Sequence, residues 1–396
     1  MDIQQAGPAR ATPALRALGA PLLIVAAISV GIFAAGGVGT LLALTTLAAL
    51  AAVFMAPAGR VKNSLLAVFS IVLMISVAEF ALRLPAADED VATKWGRNRV
   101  ETFSAKVFAP HAELGFDAIP NSSATVTARL GEALVFQATY SFDDTGARAT
   151  PRADRSKPPL VVAGDSFNFG NGLQDDQTLA YHLQELSHHK FWALNIARPG
   201  YGLHQVLRQI ELDVPAQDGA PHFDWLIVSL VDNHIERVNG RYSWMRGTPR
   251  YVLGHLGVLE RRGVYGDEGP PGRADLMLQN SRLLGALERL KHRFVQSEDE
   301  RRFVAVLHEI NARAEEKYHA HCLFLYHAGT MYLNDLAGRR TLMHKLFAQA
   351  GIDYIDVNES IPGIDASYFI DKDGHPSEKL NVALAGLVLQ HMDGAR

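Results

Sequence analysis

Hydrophobic and polar positions divide the chain into two regions of different pattern. Near the amino terminus, three long apolar stretches follow one another at about 18–35, 40–57 and 64–82, the last interrupted by Glu79. Each is close to the ~20 residues that a helix needs to cross the hydrocarbon core of a bilayer. Because a secretory signal has a single apolar core, three such stretches predict retained membrane helices.

Basic residues flank these stretches in a pattern that predicts their orientation. Arg10 and Arg16 precede the first stretch, and Arg60 and Lys62 lie between the second and the third. Basic loops stay on the cytoplasmic side of a membrane, so residues 1–16 are predicted to be a cytoplasmic N-terminus and residues 17–83 a region of three helices. The glycine-rich residues 36–39 predict a tight turn between the first two helices. Everything from about residue 84 onward would then lie outside the cytoplasmic membrane.

This region has alternative interpretations. The first two stretches could instead form a buried helical hairpin of a soluble protein. Glu79 lies four residues before Arg83 near the outer end of the third stretch, a spacing that predicts an ion pair within the helix at the membrane interface. A carboxylate inside a membrane can also belong to a proton relay, which is the alternative role for Glu79.

The remaining residues change pattern at about residue 157. Residues 84–156 contain short alternating stretches, at 124–128 and 133–140, separated by turn residues, which predicts a small β-rich extension. From 157 to 396, short apolar runs alternate with amphipathic stretches. The runs lie at 160–163, 191–196, 225–230, 322–326 and 354–357, and the predicted helices at 176–189, 202–213, 281–318, 335–350 and 377–392. This alternation predicts an α/β domain whose parallel sheet is covered by helices on both faces. Residues 239–280 interrupt the alternation and are expected to form a lid or binding insertion.

Polar and glycine residues follow several predicted strands, at the sheet edge where α/β proteins bind their ligands. Ser166 follows the first strand in a Gly-Asp-Ser-Phe motif, which places its hydroxyl and its backbone N–H at the start of a helix. Gly200 follows the second strand and Asn233 the third. Asp373 and His375 follow the last strand. A serine, a histidine base, a carboxylate and donors for an oxyanion form the set used for nucleophilic acyl transfer.

These motifs resemble those of the SGNH/GDSL hydrolase family. Ser166 matches the nucleophile of that family and His375 its general base. Gly200 matches the glycine whose N–H enters the oxyanion hole, and Asn233 matches the asparagine whose side-chain amide joins it. Residues 108–151 are similar to the extension that precedes this domain in membrane-anchored bacterial members. The resemblance implies a flavodoxin-like, three-layer fold, an ester hydrolase activity without metal or cofactor, and an oxyanion hole that also uses the Ser166 N–H.

The sequence departs from the family pattern at two places. Lys372 stands three residues before the histidine, where the last block of the family most often has aspartate. The spacing of Asp373 resembles the shorter Asp-x-His arrangement of alginate-acetylation proteins, which assigns the orienting carboxylate to Asp373, with Asp371 as the alternative. In the third block, Asp232 directly precedes Asn233 and is a rival for the asparagine position.

Composition and charge exclude other classes of protein. The chain of 396 residues has a net charge of −4, which excludes a strongly basic nucleic-acid-binding protein. Its single cysteine, Cys322, excludes an internal disulfide and a cysteine-based zinc site, and is expected to be a buried apolar residue. Histidines occur at 188, 189, 319 and 321, but no complete ligand set accompanies them, so no metal site is predicted. Arginines at 237, 241, 246 and 250 are expected to satisfy carbonyls and carboxylates.

Together with the resemblance, these features predict a membrane-anchored serine esterase whose catalytic domain faces the periplasmic side of a bacterial cytoplasmic membrane. Its partners would be the lipid bilayer and an ester-bearing glycan or lipid, with no nucleic acid. The first alternative is an O-acyltransferase for a cell-surface polysaccharide, since a sugar hydroxyl can replace water as the acceptor. The second is a non-catalytic module that binds glycan or a membrane protein. The intact Ser166, Asp373 and His375 argue against it.

The predicted topology is testable with reporter fusions. Alkaline phosphatase fused after residue 90 should be active, and green fluorescent protein fused there should be dark, because that position is predicted to lie outside the cytoplasm. Fusions after Lys62, between the second and third stretches, should give the opposite pair of results. Fluorescence without phosphatase activity at residue 90 would reverse the orientation.

Overall fold

The computed structural model describes residues 37–56, 58–82, 99–267, 281, 283, 296–329 and 336–395. The predicted first span at 18–35, together with Arg10, Arg16 and Arg83, lies outside the described residues. The chain forms two compact units. One consists of Met1–Asp88 and Pro270–Val295, and the other of Glu89–Gly269 and Gln296–Arg396.

Two helices form the described part of the first unit. Helix α1 is Gly37–Met55 and helix α2 is Arg60–Ala81. They pack against each other, and between them the hydroxyls of Thr46 and Ser76 lie 3.0 Å apart and are buried. Among the described helices, α2 is the one that is long and apolar enough to cross a membrane. The glycine-rich residues predicted to form a turn instead begin α1 at Gly37, so that part of the prediction is wrong.

Glu79 lies near the end of α2 with its side chain fully buried. Its carboxylate accepts hydrogen bonds from the Ser281 hydroxyl at 2.9 Å and from the Leu283 backbone N–H at 2.8 Å. Both donors belong to the same compact unit as α2. The predicted partner of Glu79 within the helix, Arg83, is not among the described residues. The structure thus adds two neutral donors that the spacing of charges along α2 did not indicate.

The described part of the predicted β-rich extension, from residue 99, forms five antiparallel strands in the second unit. Strands β1, β4 and β5 form one sheet in that order, and β2 and β3 form a separate hairpin. The strands are β1 Arg99–Phe103, β2 Phe108–His111, β3 Gly115–Ala118, β4 Ser123–Leu130 and β5 Ala133–Ser141.

A five-stranded parallel sheet is the centre of the second unit, as the alternating pattern predicted. Its strands are β6 Pro159–Ala163, β7 Trp192–Asn195, β8 Trp225–Val231, β11 His321–His327 and β12 Asp353–Asp356. Their spatial order, β12-β11-β8-β6-β7, is the flavodoxin-like order. The order of the strands reverses between β6 and β8, and the loops that follow those two strands carry Ser166 and Asn233.

Helices cover both faces of this sheet, each over its own apolar core. They are α3 Ser166–Phe169, α4 Leu179–Leu186, α5 Leu203–Glu211, α6 Val214–Gln217, α7 His234–Val238, α8 Glu298–Tyr318, α9 Leu336–Ala350, α10 Val357–Ser360 and α11 Glu378–Gly394. Side chains of α5, α8 and α9 pack on one face, and those of α4 and α11 on the other. The predicted α/β fold with a parallel sheet is therefore confirmed. Cys322 is buried in β11, as expected.

Two predicted segments differ in detail. The insertion at 239–280 contains a hairpin of β9, Pro249–Leu253, and β10, Leu259–Val264, which the irregular pattern did not indicate. Within the stretch at 281–318 that is predicted to be helical, α8 begins at Glu298. Ser297 caps it by accepting the N–H of Glu300, while the Glu300 carboxylate accepts the N–H of Ser297.

Arg148, which lies in the extension after β5, is fully buried and contacts the end of α3 and the loop after it. Its Nη1 donates to the carbonyl oxygens of Phe169 and Gly170, both at 2.8 Å, and its Nη2 donates to that of Leu173 at 2.6 Å. The guanidinium also lies 4.4 Å from the centroids of the Tyr140 and Phe169 rings. One side chain thus joins the extension to the segment that begins with Ser166.

Substituting Arg148→Met should therefore destabilise the second unit strongly. Three buried carbonyls and the Asp175 carboxylate, which lies 3.3 Å from Nε, would lose a donor, and breaking a buried ionic network costs about 3–5 kcal/mol. Urea unfolding followed by tryptophan fluorescence measures the loss. The control is Arg155→Met, because Arg155 pairs with Asp143 at a largely exposed position and should cost about 1 kcal/mol or less. Equal small losses in both variants would contradict the role of Arg148.

Candidate active site

The turn that presents Ser166 depends on a glycine. Gly164 follows β6 with φ +120°, and a Cβ there would lie 2.2 Å from the Ser229 hydroxyl oxygen, so no larger residue fits. Asp165 then caps α3 by accepting the Phe167 N–H at 3.0 Å. Ser166 is thereby placed in the first turn of a helix at the carboxyl edge of the parallel sheet.

Asp165 is a buried carboxylate directly beneath this turn. It accepts hydrogen bonds from the Ser229 hydroxyl at 2.8 Å and from Arg237 Nη1 at 3.0 Å, and His234 Nε2 lies 3.3 Å away. Burial alone would raise the pKa of Asp165, but the contacts with His234 and Arg237 hold it well below its usual value. Burial lowers the pKa of His234 and so favours its neutral form, and the positive charge beside Asp165 therefore comes from Arg237. Arg237 thus satisfies a carboxylate, as expected from the sequence.

Ser166, His375 and Asp373 lie in contact with one another. His375 Nε2 is 2.8 Å from Ser166 Oγ, and His375 Nδ1 is hydrogen-bonded to Asp373 Oδ1. The same carboxylate oxygen accepts the backbone N–H of His375 at 3.1 Å. The ring of Phe167 lies 5.2 Å from the imidazole, centroid to centroid, and limits its tilt. This is the order of contacts that a serine nucleophile, its base and an orienting acid require.

The alternative acid, Asp371, lies away from the imidazole. Its side chain is 90% exposed, and the nearest cation, Lys372 Nζ, is 3.9 Å from it. The backbone turns at Lys372, which has φ +58°, and the next N–H, that of Asp373, donates to the Ile370 carbonyl at 3.1 Å. The turn directs the side chain of Asp373 inward, where it is fully buried. The geometry therefore favours Asp373 over Asp371.

Gly200 and Asn233 lie in loops at the same edge of the sheet as Ser166. Gly200 follows β7 and has φ +80°, in the left-handed region that favours glycine. Asn233 follows β8 and is buried, and the side-chain oxygen of its amide has no partner among the described residues. The oxyanion hole formed by Ser166, Gly200 and Asn233 therefore stays a prediction.

Asp232, the rival of Asn233, has a different environment. Its carboxylate accepts the Tyr326 hydroxyl at 2.5 Å and the Gly329 N–H at 2.8 Å, both at the end of the neighbouring strand β11. Its backbone carbonyl accepts Arg339 Nη2 at 2.7 Å. Asp232 is thus engaged in joining two strand ends, which leaves Asn233 as the candidate donor.

The structure adds site residues that sequence reasoning missed. Arg99 of β1 forms an ion pair with Asp373 Oδ2. In the insertion, the rings of Tyr242 and Trp244 stack at 4.2 Å with an angle of 15° between their planes. Trp244 lies beside Gly200, where an added Cβ would be 3.9 Å from the indole nitrogen. Aromatic residues in an insertion could have indicated this contact, but an arginine in a β-strand carries no such signal.

Among the described residues, one group of side chains has metal-ligand chemistry. Potential ligand atoms of His344, Asp356 and Glu359 lie within 4.8 Å of one another. Arg340 donates to Asp356 at 2.7 and 2.6 Å and lies 3.1 Å from Glu359. The guanidinium already compensates these carboxylates, so the group is an ion-pair network.

Comparison with known proteins finds similarity only among solved structures. No family model matches the chain, and no curated protein matches it. A protein from Desulfitobacterium hafniense, described as lipolytic and of the G-D-S-L family, is 14% identical with a TM-score of 0.34, over 59% of this chain and 98% of that one. A lipase/acylhydrolase from Enterococcus faecalis is 12% identical with a TM-score of 0.34, over 60% and 96%. The acetyl xylan esterase Est2A from Butyrivibrio proteoclasticus is 14% identical with a TM-score of 0.33, over 60% and 64%.

The matched structures thus include SGNH/GDSL hydrolases, the family that the sequence motifs resemble. Similarity at this level identifies no substrate. The function is therefore inferred from the side chains of this chain.

Substitution can show which of the two candidate acids, Asp373 or Asp371, orients the histidine. Asp373→Asn should lower the kcat for p-nitrophenyl acetate by a factor approaching ~10⁴, because an amide favours the wrong imidazole tautomer. Asp371→Asn should change kcat by less than about twofold, since that side chain is exposed and away from the ring. Thermal unfolding of both variants controls for folding. A severe loss confined to Asp371→Asn would assign the orienting role to that residue instead.

Proposed function

We propose that this protein is a serine esterase of the SGNH/GDSL type, anchored in a membrane by its amino-terminal helices. The single observation that carries the proposal is the contact of Ser166 Oγ with His375 Nε2 at 2.8 Å, with Asp373 on the other ring nitrogen. Helix α2 and the basic residues around it support the membrane anchor. The arrangement of Arg10, Arg16, Arg60 and Lys62 supports a periplasmic location of the catalytic domain.

The proposed reaction begins with proton transfer from Ser166 to His375. As Nε2 accepts the proton, Oγ attacks the ester carbonyl carbon, and Asp373 stabilises the imidazolium. The negative charge that develops on the carbonyl oxygen is held by the N–H groups of Ser166 and Gly200 and by the Asn233 amide. Each such donor is worth about 10²–10³ in rate. His375 then protonates the leaving alcohol, and water, deprotonated by His375, releases the acyl group and regenerates Ser166.

The aromatic pair of Tyr242 and Trp244 supports a ring-shaped substrate. Trp244 is 49% exposed, and its indole lies beside Gly200. The amide of Asn233 interacts with the Tyr242 hydroxyl, which partly opposes the rise in the pKa of Tyr242 caused by burial. A flat aromatic face with polar edges suits a sugar ring, which has apolar C–H faces and hydroxyls at its rim. An O-acyl ester on a glycan therefore suits this aromatic pair better than a long acyl chain.

The same aromatic pair favours a second candidate function, an O-acyltransferase. If a sugar hydroxyl occupies the face of Trp244 after the acyl group has been transferred to Ser166, that hydroxyl can attack in place of water. The chemistry of the acyl-enzyme is identical up to that step. Product analysis with and without an oligosaccharide acceptor separates the two functions, because a transferase forms acylated sugar at the expense of free acid.

Covalent labelling tests the proposed nucleophile. A fluorophosphonate probe should label the full-length protein in detergent, because Ser166 Oγ is activated by His375, and Ser166→Ala should abolish both labelling and p-nitrophenyl acetate hydrolysis. Ser377→Ala is the matched control, since that hydroxyl lies near His375 in sequence but donates to the Ser367 carbonyl. Labelling that persists in Ser166→Ala would exclude Ser166 as the nucleophile.

A further inference from the structure

The carboxylate of Asp373 has two ends with different partners. Oδ1 contacts the Nδ1 and the backbone N–H of His375, whereas Oδ2 forms an ion pair with Arg99 Nη1. The side chain of Asp373 is inaccessible to solvent, and that of Arg99 is 18% exposed. A carboxylate in such a place stays ionised only if charge and hydrogen bonds compensate its lost hydration.

Arg99 is itself held in place from several sides. Its backbone pairs with Leu130 across the β1–β4 ladder, and its guanidinium lies 5.5 Å from the centroid of the Phe136 ring. Its Nη2 forms an ion pair with Glu101. Glu101 in turn accepts a hydrogen bond from the Asn171 amide at 3.4 Å, in the loop that follows the nucleophile helix. The guanidinium therefore bridges two carboxylates, one beside the histidine and one tied to the nucleophile loop.

We propose that Arg99 is a positioning residue for the triad: its guanidinium fixes Asp373 Oδ2, so that Oδ1 stays directed at His375. This inference rests on the proposed esterase function. The extension contributes Arg99 through β1, so it supplies part of the support of the catalytic acid.

The charge on Arg99 also limits how strongly Asp373 stabilises a protonated histidine. Burial alone would raise the pKa of Asp373, but His375 and Arg99 together hold that pKa below its usual value. The titratable and charged groups around the His375–Asp373 pair are Arg99 and Glu101 from β1, Tyr140 from β5 and His327 from β11. Burial lowers the pKa of His327 to about 4 and raises that of Tyr140 to about 12, so both are neutral between pH 5 and 9.

The experiment compares the pH profiles of kcat/KM for p-nitrophenyl acetate in the full-length protein, R99M, R99K and E101Q. The acidic limb of the profile reports loss of the proton from the free enzyme's base. In R99M, the unpaired carboxylate stabilises the protonated histidine more strongly, so the limb should move to higher pH by about one pH unit. In R99K the positive charge remains, and the limb should stay near its wild-type position while kcat falls, because a lysine cannot bridge both carboxylates.

E101Q provides a change of opposite sign. When Glu101 is neutral, the positive charge of Arg99 is opposed by Asp373 alone, so the protonated histidine is less stabilised. The acidic limb should therefore move to lower pH by a few tenths of a pH unit. This substitution preserves shape, so it keeps the proposal testable if R99M does not fold. R155M is the control, because Arg155 contacts Asp143 and Asp144 rather than the triad.

Opposite movements of the limb in R99M and E101Q would support the proposal. Profiles of R99M and E101Q that superimpose on the wild-type profile would overturn it, even if kcat falls, because a merely structural role would not move the limb. Failure of the esterase function itself is distinguishable, since the wild-type protein would then neither hydrolyse the ester nor react with the fluorophosphonate.

Discussion

Buried guanidinium groups hold the second unit together. Arg148 and Arg198 are both fully buried, and burying a charge costs several kcal/mol unless its N–H groups find acceptors. Arg148 donates to three carbonyls of the segment that follows Ser166. Arg198 donates to the Gly146 carbonyl at 2.9 Å and to Asp117 at 2.6 Å, both in the extension. Arg148 lies in the extension and Arg198 in the loop after β7. Each arginine therefore links the extension to the loops around Ser166.

Two further arginines serve two buried carboxylates on either side of the nucleophile. Asp165 beneath the turn is compensated by Arg237 from the helix after β8, and Asp373 beside the histidine by Arg99 from β1. Burial alone would raise the pKa of each carboxylate, but His234 and Arg237 lower the pKa of Asp165, and His375 and Arg99 lower that of Asp373. The first caps the helix that begins with Ser166, and the second contacts Nδ1 of His375.

The two apolar helices of the first unit also pair their buried polar groups. Their apolar surfaces are interrupted by Thr46 and Ser76, which face each other, and by Glu79, which accepts two hydrogen bonds from Ser281 and Leu283. A polar group buried among apolar side chains costs free energy unless it is paired. Ser281 and Leu283 supply two donors to the buried carboxylate of Glu79.

The sequence by itself determined the α/β alternation, the positions of the five parallel strands and the placement of Ser166, Gly200, Asn233 and His375 after strand ends. Those features depend on the periodicity of apolar residues and on turn-forming residues, and both can be read from residues close together in sequence. Only the tertiary structure decided between Asp373 and Asp371, engaged Asp232 with β11, and brought Arg99, Tyr242 and Trp244 to the site. The choice of acid followed from a backbone turn at Lys372 that turns one carboxylate inward and leaves the other in solvent. The ion pair of Arg99 with Asp373 joins β1 to a loop far along the chain. A local sequence pattern cannot show which distant charged residues come into contact.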